Sequence, residues 1–388
     1  FFVYIFIMCI FLINIREETS DKNSDSVKTN MSLFFTEVRS ESVLKSYVDE
    51  INRKQEIFNE YLFGPFEADN TIIAIQVHDR SDYLKLTIDS LEKVKGIEKT
   101  LLIFSHDIFD PEINEIVRGI KFAKVMQIFY PYSTQLFPNT FPGDDPNDCP
   151  RNTRKSDAIR MKCNSAEFPD KYGHYRESKF TQMKHHWFWK LNFIFDRLKI
   201  SINFEGYVVL LEDDYYLIPD SLYVFEEMRK LIMDDSNCVY SLGIREYKMD
   251  PVKTDVIVQF KGIPFSSHIF NKKFWITFKK YSEKFCTYDD CNYDYSFVGF
   301  SLGFLKPQPF SIYPLVPRLY HIGNQGVHEN TTTRFGTYNQ VKTDLLKIKQ
   351  HLFPNQLRVE YKNELSPVQE YGGFNDPRDK KLCMSFTV

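Results

Sequence analysis

The chain has 388 residues, of which 43% are hydrophobic, so it is long enough for one large α/β domain with accessory segments. Its formal net charge is −3. A balance this close to zero lacks the basic footprint of a nucleic-acid-binding protein, and we therefore exclude nucleic acid as a partner.

The first fifteen residues, FFVYIFIMCIFLINI, are almost wholly apolar and are followed by charged residues. A membrane-spanning helix needs about 20 apolar residues, and this chain does not begin with Met. We therefore expect residues 1–15 to be the remaining part of a transmembrane signal anchor, residues 16–42 a polar stem, and residues 43–388 the folded lumenal domain. A cleaved signal peptide is the alternative, although no small-residue cleavage site follows.

The cysteines are the second indication of a translocated protein. The chain has seven of them and no Cys-x-x-Cys pair, which argues against a zinc ribbon. In a translocated protein, disulfide bonds are their default use. The triplets Asn30-Met31-Ser32 and Asn330-Thr331-Thr332 are N-glycosylation acceptor sequences, which agree with a lumenal location.

Strands and helices alternate along the first third of the predicted domain. Residues 41–61 have a charged, helical pattern that leads into the domain, and Gly64 and Pro65 close it. The segments that follow are, in order, a strand at 71–77, a helix at 81–94, a strand at 100–104, a helix at 112–120 and a strand at 124–129. Such repetition with short connections predicts a parallel sheet covered by helices.

An irregular segment then interrupts the alternation. Residues 131–176 are rich in Pro, Asn, Asp and Gly, and a loop of that length is usually functional or cross-linked. Regular elements return as a helix at 178–199, a strand at 207–211, a helix at 219–232 and a strand at 239–242.

Three adjacent carboxylates, Glu212-Asp213-Asp214, follow directly after the apolar strand at 207–211. Ligands of open α/β sheets bind beyond the carboxyl ends of the strands. Carboxylate oxygens at that position suit Mg²⁺ or Mn²⁺ holding a diphosphate. The alternative is a solvated acidic turn that caps the next helix. The buried-type strand upstream favours a ligand site.

Two further polar motifs end strands at the same predicted edge. QVHDR, residues 76–80, follows the first strand, and FSHD, residues 104–107, follows the second. A nucleotide would lie there, whereas helix N-capping is the alternative role for Asp79 and Asp107. On the long helix, Lys184-His185-His186 either meets a phosphate or base, or forms the solvated face of that helix.

Acidic and aromatic residues are interleaved in FCTYDDCNYDY, residues 285–295. Aromatic rings stack on pyranose faces while a carboxylate accepts a hydroxyl proton, so Asp289, Asp290 and Asp294 fit sugar handling. A surface acidic loop with aromatic anchors is the alternative. Further on, His321 is either a structural hydrogen-bonding residue or a second ligand that joins Asp214 on Mn²⁺.

Taken together, these segments resemble the alpha-1,6-mannosyl-glycoprotein 2-beta-N-acetylglucosaminyltransferases. The similar stretches run in collinear order across residues 43–385 and include QVHDRSDYLKLTIDSL, YGHYRESKFTQMKHHWFWKL, LEDDYYLIPD, FCTYDDCNYDY and LCMSF. The resemblance implies a GT-A glycosyltransferase fold, with a single Rossmann-like mixed sheet flanked by helices. It also implies a single-pass type II protein of the Golgi membrane with a lumenal catalytic domain.

The resemblance implies a reaction as well. The donor would be UDP-N-acetylglucosamine, the acceptor the α1,6-arm mannose of an N-glycan, and the product a β1,2 linkage formed with inversion. Asp214 and His321 would bind Mn²⁺, or Mg²⁺, and Asp294 would be the general base. The disulfides Cys149–Cys163 and Cys286–Cys383 match the family. The residues that would line the donor are Gln76, Val77, His78, Asp79, Arg80, Asp107, Gln182, Met183, Lys184, His185 and His186.

The sequence departs from the family at the acceptor motif. The family has Asn-Trp-Asp-Trp where this chain has Asn292-Tyr293-Asp294-Tyr295, which leaves the acceptor preference open. The alternatives are a sister β1,2-N-acetylglucosaminyltransferase that acts on another mannose arm, and a catalytically silent glycan-binding protein on the same scaffold. The intact Asp214, His321 and Asp294 favour an enzyme. The sequence leaves the oligomeric state and the pairing of Cys238 and Cys291 open.

Overall fold

The computed structural model describes residues 41–243, 250–265, 267–323, 335–361 and 370–388. The predicted anchor, nearly all of the predicted stem and both glycosylation triplets lie outside these ranges. None of the helices within them is long and apolar enough to cross a membrane. Residues 1–47 and residues 48–388 are separate units, and the sheet and the candidate site both belong to the second unit.

The described residues contain eleven strands and twelve α-helices. The strands are β1 (Ile72–Val77), β2 (Leu101–His106), β3 (Lys124–Phe129), β4 (Tyr207–Glu212), β5 (Tyr215–Leu217), β6 (Cys238–Tyr240), β7 (Val256–Lys261), β8 (Ile269–Asn271), β9 (Phe310–Pro314), β10 (Leu319–His321) and β11 (Arg358–Tyr361). The helices are α1 (Glu41–Lys54), α2 (Glu60–Phe63), α3 (Ser81–Leu91), α4 (Pro111–Arg118), α5 (Lys155–Met161), α6 (Ser178–Asn192), α7 (Ser221–Lys230), α8 (Lys272–Lys279), α9 (Ser282–Thr287), α10 (Tyr293–Gly303), α11 (Gly336–Ile348) and α12 (Pro377–Ser385).

Nine of these strands form one mixed sheet in the order β11-β7-β9-β6-β8-β4-β1-β2-β3. The pairs β1–β2, β2–β3 and β1–β4 are parallel, whereas β8 runs antiparallel to β4. The chain moves outward from β1 to β3 and then returns to the other side of β1 as β4. The predicted α/β fold with a mixed sheet is confirmed, and the crevice between β1 and β4 is the switch point where such sheets bind ligands.

The central strands are apolar on both faces because helices cover both sides of the sheet. On β1, Ile72 and Ala74 pack in one core with the aromatic residues of α6 and α10. Ile73, Ile75 and Val77 pack in the opposite core with apolar residues of α3, α4 and α7. An apolar run that is buried on both faces shows no alternation, and the IIAIQV sequence has that form.

Several predicted boundaries differ from the structure. The helical pattern at 41–61 is broken after Lys54, where Gln55 has a φ of 53°, a left-handed conformation that non-glycine residues rarely adopt. The helix predicted at 178–199 ends at Asn192 and continues as a π-helical turn over Phe193–Arg197. These differences lie at element ends, where side-chain patterns are weakest.

A two-stranded antiparallel ribbon, β5 with β10, stands apart from the main sheet. Tyr216 is the partner of Tyr320, and His321 is the partner of Tyr215. The sequence analysis did not predict this ribbon, since strands of three residues are too short to show a periodic pattern.

Both disulfides implied by the resemblance are present. Cys149–Cys163 closes a loop with a sequence separation of 14 and lies within the irregular segment, as expected. Cys286–Cys383 spans a separation of 97 and ties α9 to the C-terminal helix α12. Cys238 and Cys291 are buried free thiols.

We predict that the longer loop contributes more stability. In the chain-entropy model a disulfide across about 15 residues contributes ~3 kcal/mol and one across about 100 residues ~4.7 kcal/mol. The Cys286→Ala/Cys383→Ala variant should therefore lose more unfolding free energy in urea than Cys149→Ala/Cys163→Ala. An equal or larger loss in the short-loop variant would contradict this ranking.

Candidate active site

The loops that follow β1 and β4 begin side by side. Gln76 of β1 is in register with Glu212 of β4, so the QVHDR and EDD motifs emerge from neighbouring strands. The hydroxyl of Thr87, on α3, donates to the main-chain carbonyl of Asp213 at 2.8 Å. The two motifs that the sequence analysis placed at one edge of the sheet therefore form the walls of one crevice.

Arg80 joins the two motifs through its guanidinium group. Its Nη2 donates to Asp213 Oδ1 at 2.5 Å and its Nη1 to Asp214 Oδ2 at 2.6 Å. Both aspartate side chains are only 1% exposed. The main-chain N–H of His78 donates to the second oxygen of Asp213 at 2.9 Å. Two adjacent buried carboxylates need such donors because an unpaired buried charge is strongly destabilising.

The β5–β10 ribbon places His321 beside Asp214. His321 Nε2 lies 3.1 Å from Asp214 Oδ2, and the N–H of Ile322 donates to the main-chain carbonyl of Asp214 at 2.9 Å. A Cβ atom on Gly323 would lie 2.1 Å from Asp214 Oδ2. A glycine is therefore required at position 323 for this close approach.

Glu212, Asp214 and His321 form a candidate metal site, since each offers a ligand atom within 4.8 Å of the other two. Asp214 Oδ1 is buried and has no hydrogen-bond partner among the described residues, so one ligand oxygen is available. Two carboxylates and one imidazole suit Mn²⁺ and also accept Mg²⁺. The residues present therefore fit a divalent cation. Sequence reasoning had named Asp214 and His321 as ligands and had not assigned Glu212 to them.

The buried charges shift the pKa values of these groups. Burial alone would raise the pKa of Asp214, yet the charge of His321 and the guanidinium of Arg80 hold it below its usual range. Burial alone would lower the pKa of His321, but the charge and hydrogen bond of Asp214 raise it to about 9. Because a metal-bound imidazole is neutral, a cation held at His321 would have to displace this proton.

Most of the predicted donor residues meet on the β1 side of the crevice. His78 Nδ1 lies 2.7 Å from Asp107 Oδ1, and the amide of Gln182 donates to Asp107 Oδ2 at 3.1 Å. His186 Nδ1 lies 3.8 Å from the same carboxylate oxygen. The side-chain oxygen of Gln76, Oε1, accepts a hydrogen bond from Nζ of the buried Lys190 at 3.0 Å. We call Gln76, His78, Arg80, Asp107 and Gln182 the polar wall. Within it Asp107 joins His78 to Gln182, whereas Gln76 forms a separate pair with Lys190.

Other predicted donor residues lie at the margin of this wall. Val77 is fully buried in the core behind it. The side chain of Asp79 is 61% exposed, with its Oδ1 3.6 Å from His78 Nε2. Met183 is half-buried. These three residues do not belong to the hydrogen-bonded wall.

Lys184 and His185 point away from the polar wall. Lys184 Nζ donates to the main-chain carbonyls of Tyr288 at 2.8 Å and Asp290 at 3.0 Å, and burial lowers its pKa to about 7. His185 Nε2 lies 3.0 Å from the carbonyl oxygen of Asp379. Gln182 and His186 share a face of α6 because residues four apart on a helix lie on the same side. Lys184 and His185 lie on other sides and contact residues 288, 290 and 379 instead.

The acidic-aromatic segment surrounds the N-terminus of α10. Asp294 is in the first turn of that helix, is half-buried, and its Oδ1 accepts from the N–H of Tyr295 at 2.8 Å. Asp290 is fully buried and accepts from the N–H groups of Asn292 and Tyr371. Asp290 therefore shapes the loop through main-chain hydrogen bonds.

Asp289 has a similar role in the same loop. It accepts from the N–H of Lys171 at 3.1 Å and of Phe374 at 2.9 Å, so it connects three separate segments of the chain. Of the three aspartates in this motif, Asp294 is the one that lies within a helix.

The two tyrosines beside Asp294 have different surroundings. The ring of Tyr293 stacks on Trp187, with 5.2 Å between centroids and 13° between planes, and its hydroxyl donates to Glu212 Oε1. Tyr295 contacts Phe265 and lies edge-on to Tyr371. One face of Tyr293 is therefore covered by protein, which limits its availability for bracketing a sugar.

The switch-point crevice, the polar wall and the candidate cation site together define an α/β enzyme of the nucleotide-sugar glycosyltransferase class. The comparisons with known proteins agree. A family model described as N-acetylglucosaminyltransferase II (MGAT2) matches residues 45–383.

Curated relatives point to the same family. The alpha-1,6-mannosyl-glycoprotein 2-beta-N-acetylglucosaminyltransferase of Mus musculus is 39% identical over 357 residues, covering 88% of this chain and 80% of its own length. Its counterpart in Sus scrofa is 38% identical over 356 residues, with coverages of 88% and 79%. The Arabidopsis thaliana protein is 30% identical over 345 residues, with coverages of 85% and 77%. The chain therefore belongs to the N-acetylglucosaminyltransferase II family.

The His78–Asp107 pair generates a pH prediction. Burial alone would lower the pKa of His78, but the hydrogen bond and charge of Asp107 raise it to about 9, above the usual value of about 6.5 in an unfolded chain. The stability that this pair contributes should therefore be fully present below pH 6.5 and be lost as the pH rises through about 9. The check is the difference in unfolding free energy between the unsubstituted chain and His78→Ala from pH 6 to 10. A difference that does not change with pH would contradict the prediction.

Proposed function

We propose that this chain transfers N-acetylglucosamine from UDP-N-acetylglucosamine to the α1,6-arm mannose of N-glycans, forming a β1,2 linkage with inversion, as a step of complex N-glycan synthesis. The observation that carries the proposal is the meeting of Glu212, Asp214 and His321 at the crevice between β1 and β4. The relatives' names supply the donor sugar and the acceptor. The runner-up, a silent glycan-binding protein, has no use for a buried carboxylate oxygen that lacks a hydrogen-bond partner among the described residues.

In this proposal, the wall residues bind the donor. Gln76, His78 and Asp107 present amide, imidazole and carboxylate groups along the carboxyl ends of β1 and β2. Arg80 is the cation at the diphosphate end of the crevice, and it also holds Asp213 and Asp214 in place. Gln182 braces Asp107 from α6, so that the wall keeps its shape.

Glu212, Asp214 and His321 would hold the divalent cation, with Mn²⁺ as the first choice. When bound, it supplies Lewis-acid stabilisation of the charge that develops on the departing diphosphate. The protein's own contribution is to fix these ligands in advance. Three features restrict the position of Asp214: the pairing of Tyr215 with His321 in the ribbon, the close approach of Gly323, and the hydrogen bond from Arg80.

Asp294 is the proposed general base. An inverting transfer needs one carboxylate on the acceptor side of the anomeric carbon, opposite the departing group, as in inverting glycosidases. Asp294 takes the proton from the mannose 2-hydroxyl as that oxygen attacks. It lies in the first turn of α10, where acidic side chains interact favourably with the helix dipole.

We further propose that the enzyme works in the Golgi lumen as a type II membrane protein, with residues 1–15 belonging to the anchor and residues 16–42 to the stem. The apolar composition of residues 1–15 supports this location, as do the two disulfides, which require an oxidising compartment.

The test is an assay of the purified chain with UDP-N-acetylglucosamine and defined N-glycans. The expected product carries a new β1,2-linked residue on the α1,6 arm. Transfer only to another arm would favour the sister transferase, and binding of glycans without transfer would favour the glycan-binding alternative.

The first substitution to test is Asp214→Ala. It removes the buried ligand oxygen, so turnover should fall by orders of magnitude and Mn²⁺ binding should weaken. Circular dichroism of the variant at Mn²⁺ concentrations used for the assay reports whether the fold persists. Full activity of the unsubstituted chain in excess chelator would overturn the metal requirement.

The second test compares Asn substitutions at the three acidic positions of the segment. Asp294→Asn should bind UDP-N-acetylglucosamine normally and lose ~100- to 10,000-fold in turnover, since it lacks only the base. Asp289→Asn and Asp290→Asn should instead lower the melting temperature, because both carboxylates accept main-chain hydrogen bonds. Near-normal turnover of Asp294→Asn would refute its assignment.

A further inference from the structure

A single side chain connects the candidate cation site to the helix that carries the proposed base. Tyr293 is the first residue of α10, directly before Asp294, and its hydroxyl donates to Glu212 Oε1. Glu212 ends β4 and belongs to the candidate metal set. One hydrogen bond, between residues far apart in the sequence, therefore links the candidate cation site to the helix that carries the proposed base.

The tyrosine ring is fixed independently of that hydrogen bond. It stacks on Trp187, which is 1% exposed and lies in the main aromatic core with Phe285 and Phe297. A ring anchored in this way places its hydroxyl with little freedom. Glu212, in contrast, has three rotatable side-chain bonds, so the hydrogen bond restricts the more flexible partner.

The hydroxyl is suited to be a permanent donor. A phenolic hydroxyl can donate and an ionised carboxylate can only accept, so the hydrogen of this bond belongs to Tyr293. A carboxylate has two oxygens and about four acceptor positions. Glu212 can therefore accept from Tyr293 and still offer an oxygen to a cation.

We infer that Tyr293 is a positioning residue that orients Glu212 toward the cation and sets the distance between the cation site and Asp294. Outer partners of metal ligands act in this way in other sites, where their loss typically costs 10- to 100-fold in metal affinity or activity. The inference rests on the proposed function for the role of Asp294, and on geometry alone for the effect on Glu212. It assigns no sugar contact to Tyr293.

The test measures binding of Mn²⁺ alone to the full chain by electron paramagnetic resonance, followed by steady-state kinetics. Tyr293→Phe keeps the stacked ring and removes only the hydroxyl, so Mn²⁺ affinity should fall ~10- to 100-fold. The KM for the acceptor glycan should be unchanged while kcat falls. Tyr293→Trp, which restores an N–H donor, should recover most of the affinity.

A matched control is available in the same aromatic core. Tyr281 contacts Phe300 of α10 at 6.2 Å between ring centroids, and Tyr281→Phe should leave Mn²⁺ affinity unchanged. A double-mutant cycle with Glu212→Gln tests whether the loss of Mn²⁺ affinity in Tyr293→Phe depends on the Glu212 carboxylate. Once Glu212 is neutral, Tyr293→Phe should cause little further loss.

Two results would overturn the inference. One is unchanged Mn²⁺ affinity in Tyr293→Phe, and the other is a loss of the same size in the presence and absence of Glu212→Gln. A rise in acceptor KM alone would instead assign Tyr293 to sugar binding. If the unsubstituted chain transfers no sugar, the proposed function fails, but the Mn²⁺ measurements still decide whether Tyr293 orients Glu212.

Discussion

The burial of two adjacent aspartates at the end of β4 is the constraint on which the site depends. Asp213 and Asp214 are almost completely removed from solvent, and like charges at that distance repel each other strongly in a low-dielectric environment. The structure can keep them there only if positive groups and N–H donors converge on them. Arg80, the N–H of His78 and the imidazole of His321 are those groups. The first two follow β1, and His321 ends β10.

This requirement explains why the site is built where it is. Arg80 and His78 follow β1, which is the direct neighbour of β4, so short loops are enough to bring them to the aspartates. His321 does not follow a strand of the parallel half of the sheet. It arrives instead on the β5–β10 ribbon, which begins at the residue after Asp214. The two oxygens of Asp214 then have separate roles, since Oδ2 contacts Arg80 and His321 while Oδ1 has no described partner.

Much of this arrangement could be predicted from the sequence, because β1 to β4 are continuous apolar runs that end in polar motifs. QVHDR and EDD were assigned to one edge on that basis, and the register of Gln76 with Glu212 agrees. The alternative that Lys184 and His185 form a solvated face of α6 is wrong, since both are buried. Adjacent helix residues face different sides, and the apolar pattern of α6 does not show which side faces the crevice. The role of Glu212 could not be predicted either, because it depends on a three-residue ribbon and on one tyrosine hydroxyl.

The ribbon also has a consequence for the biosynthesis of the protein. Strands β6 to β9 and helices α7 to α10 lie between its two strands in the sequence, so the pairing of Tyr216 with Tyr320 is strongly non-local. Non-local pairings form late, since the chain entropy of closing the intervening loop opposes them until other contacts are in place. During translation, residues 212–214 leave the ribosome long before residue 321. A nascent chain therefore has its acidic motif before its imidazole, and the candidate cation site can assemble only after residue 321 has been synthesised.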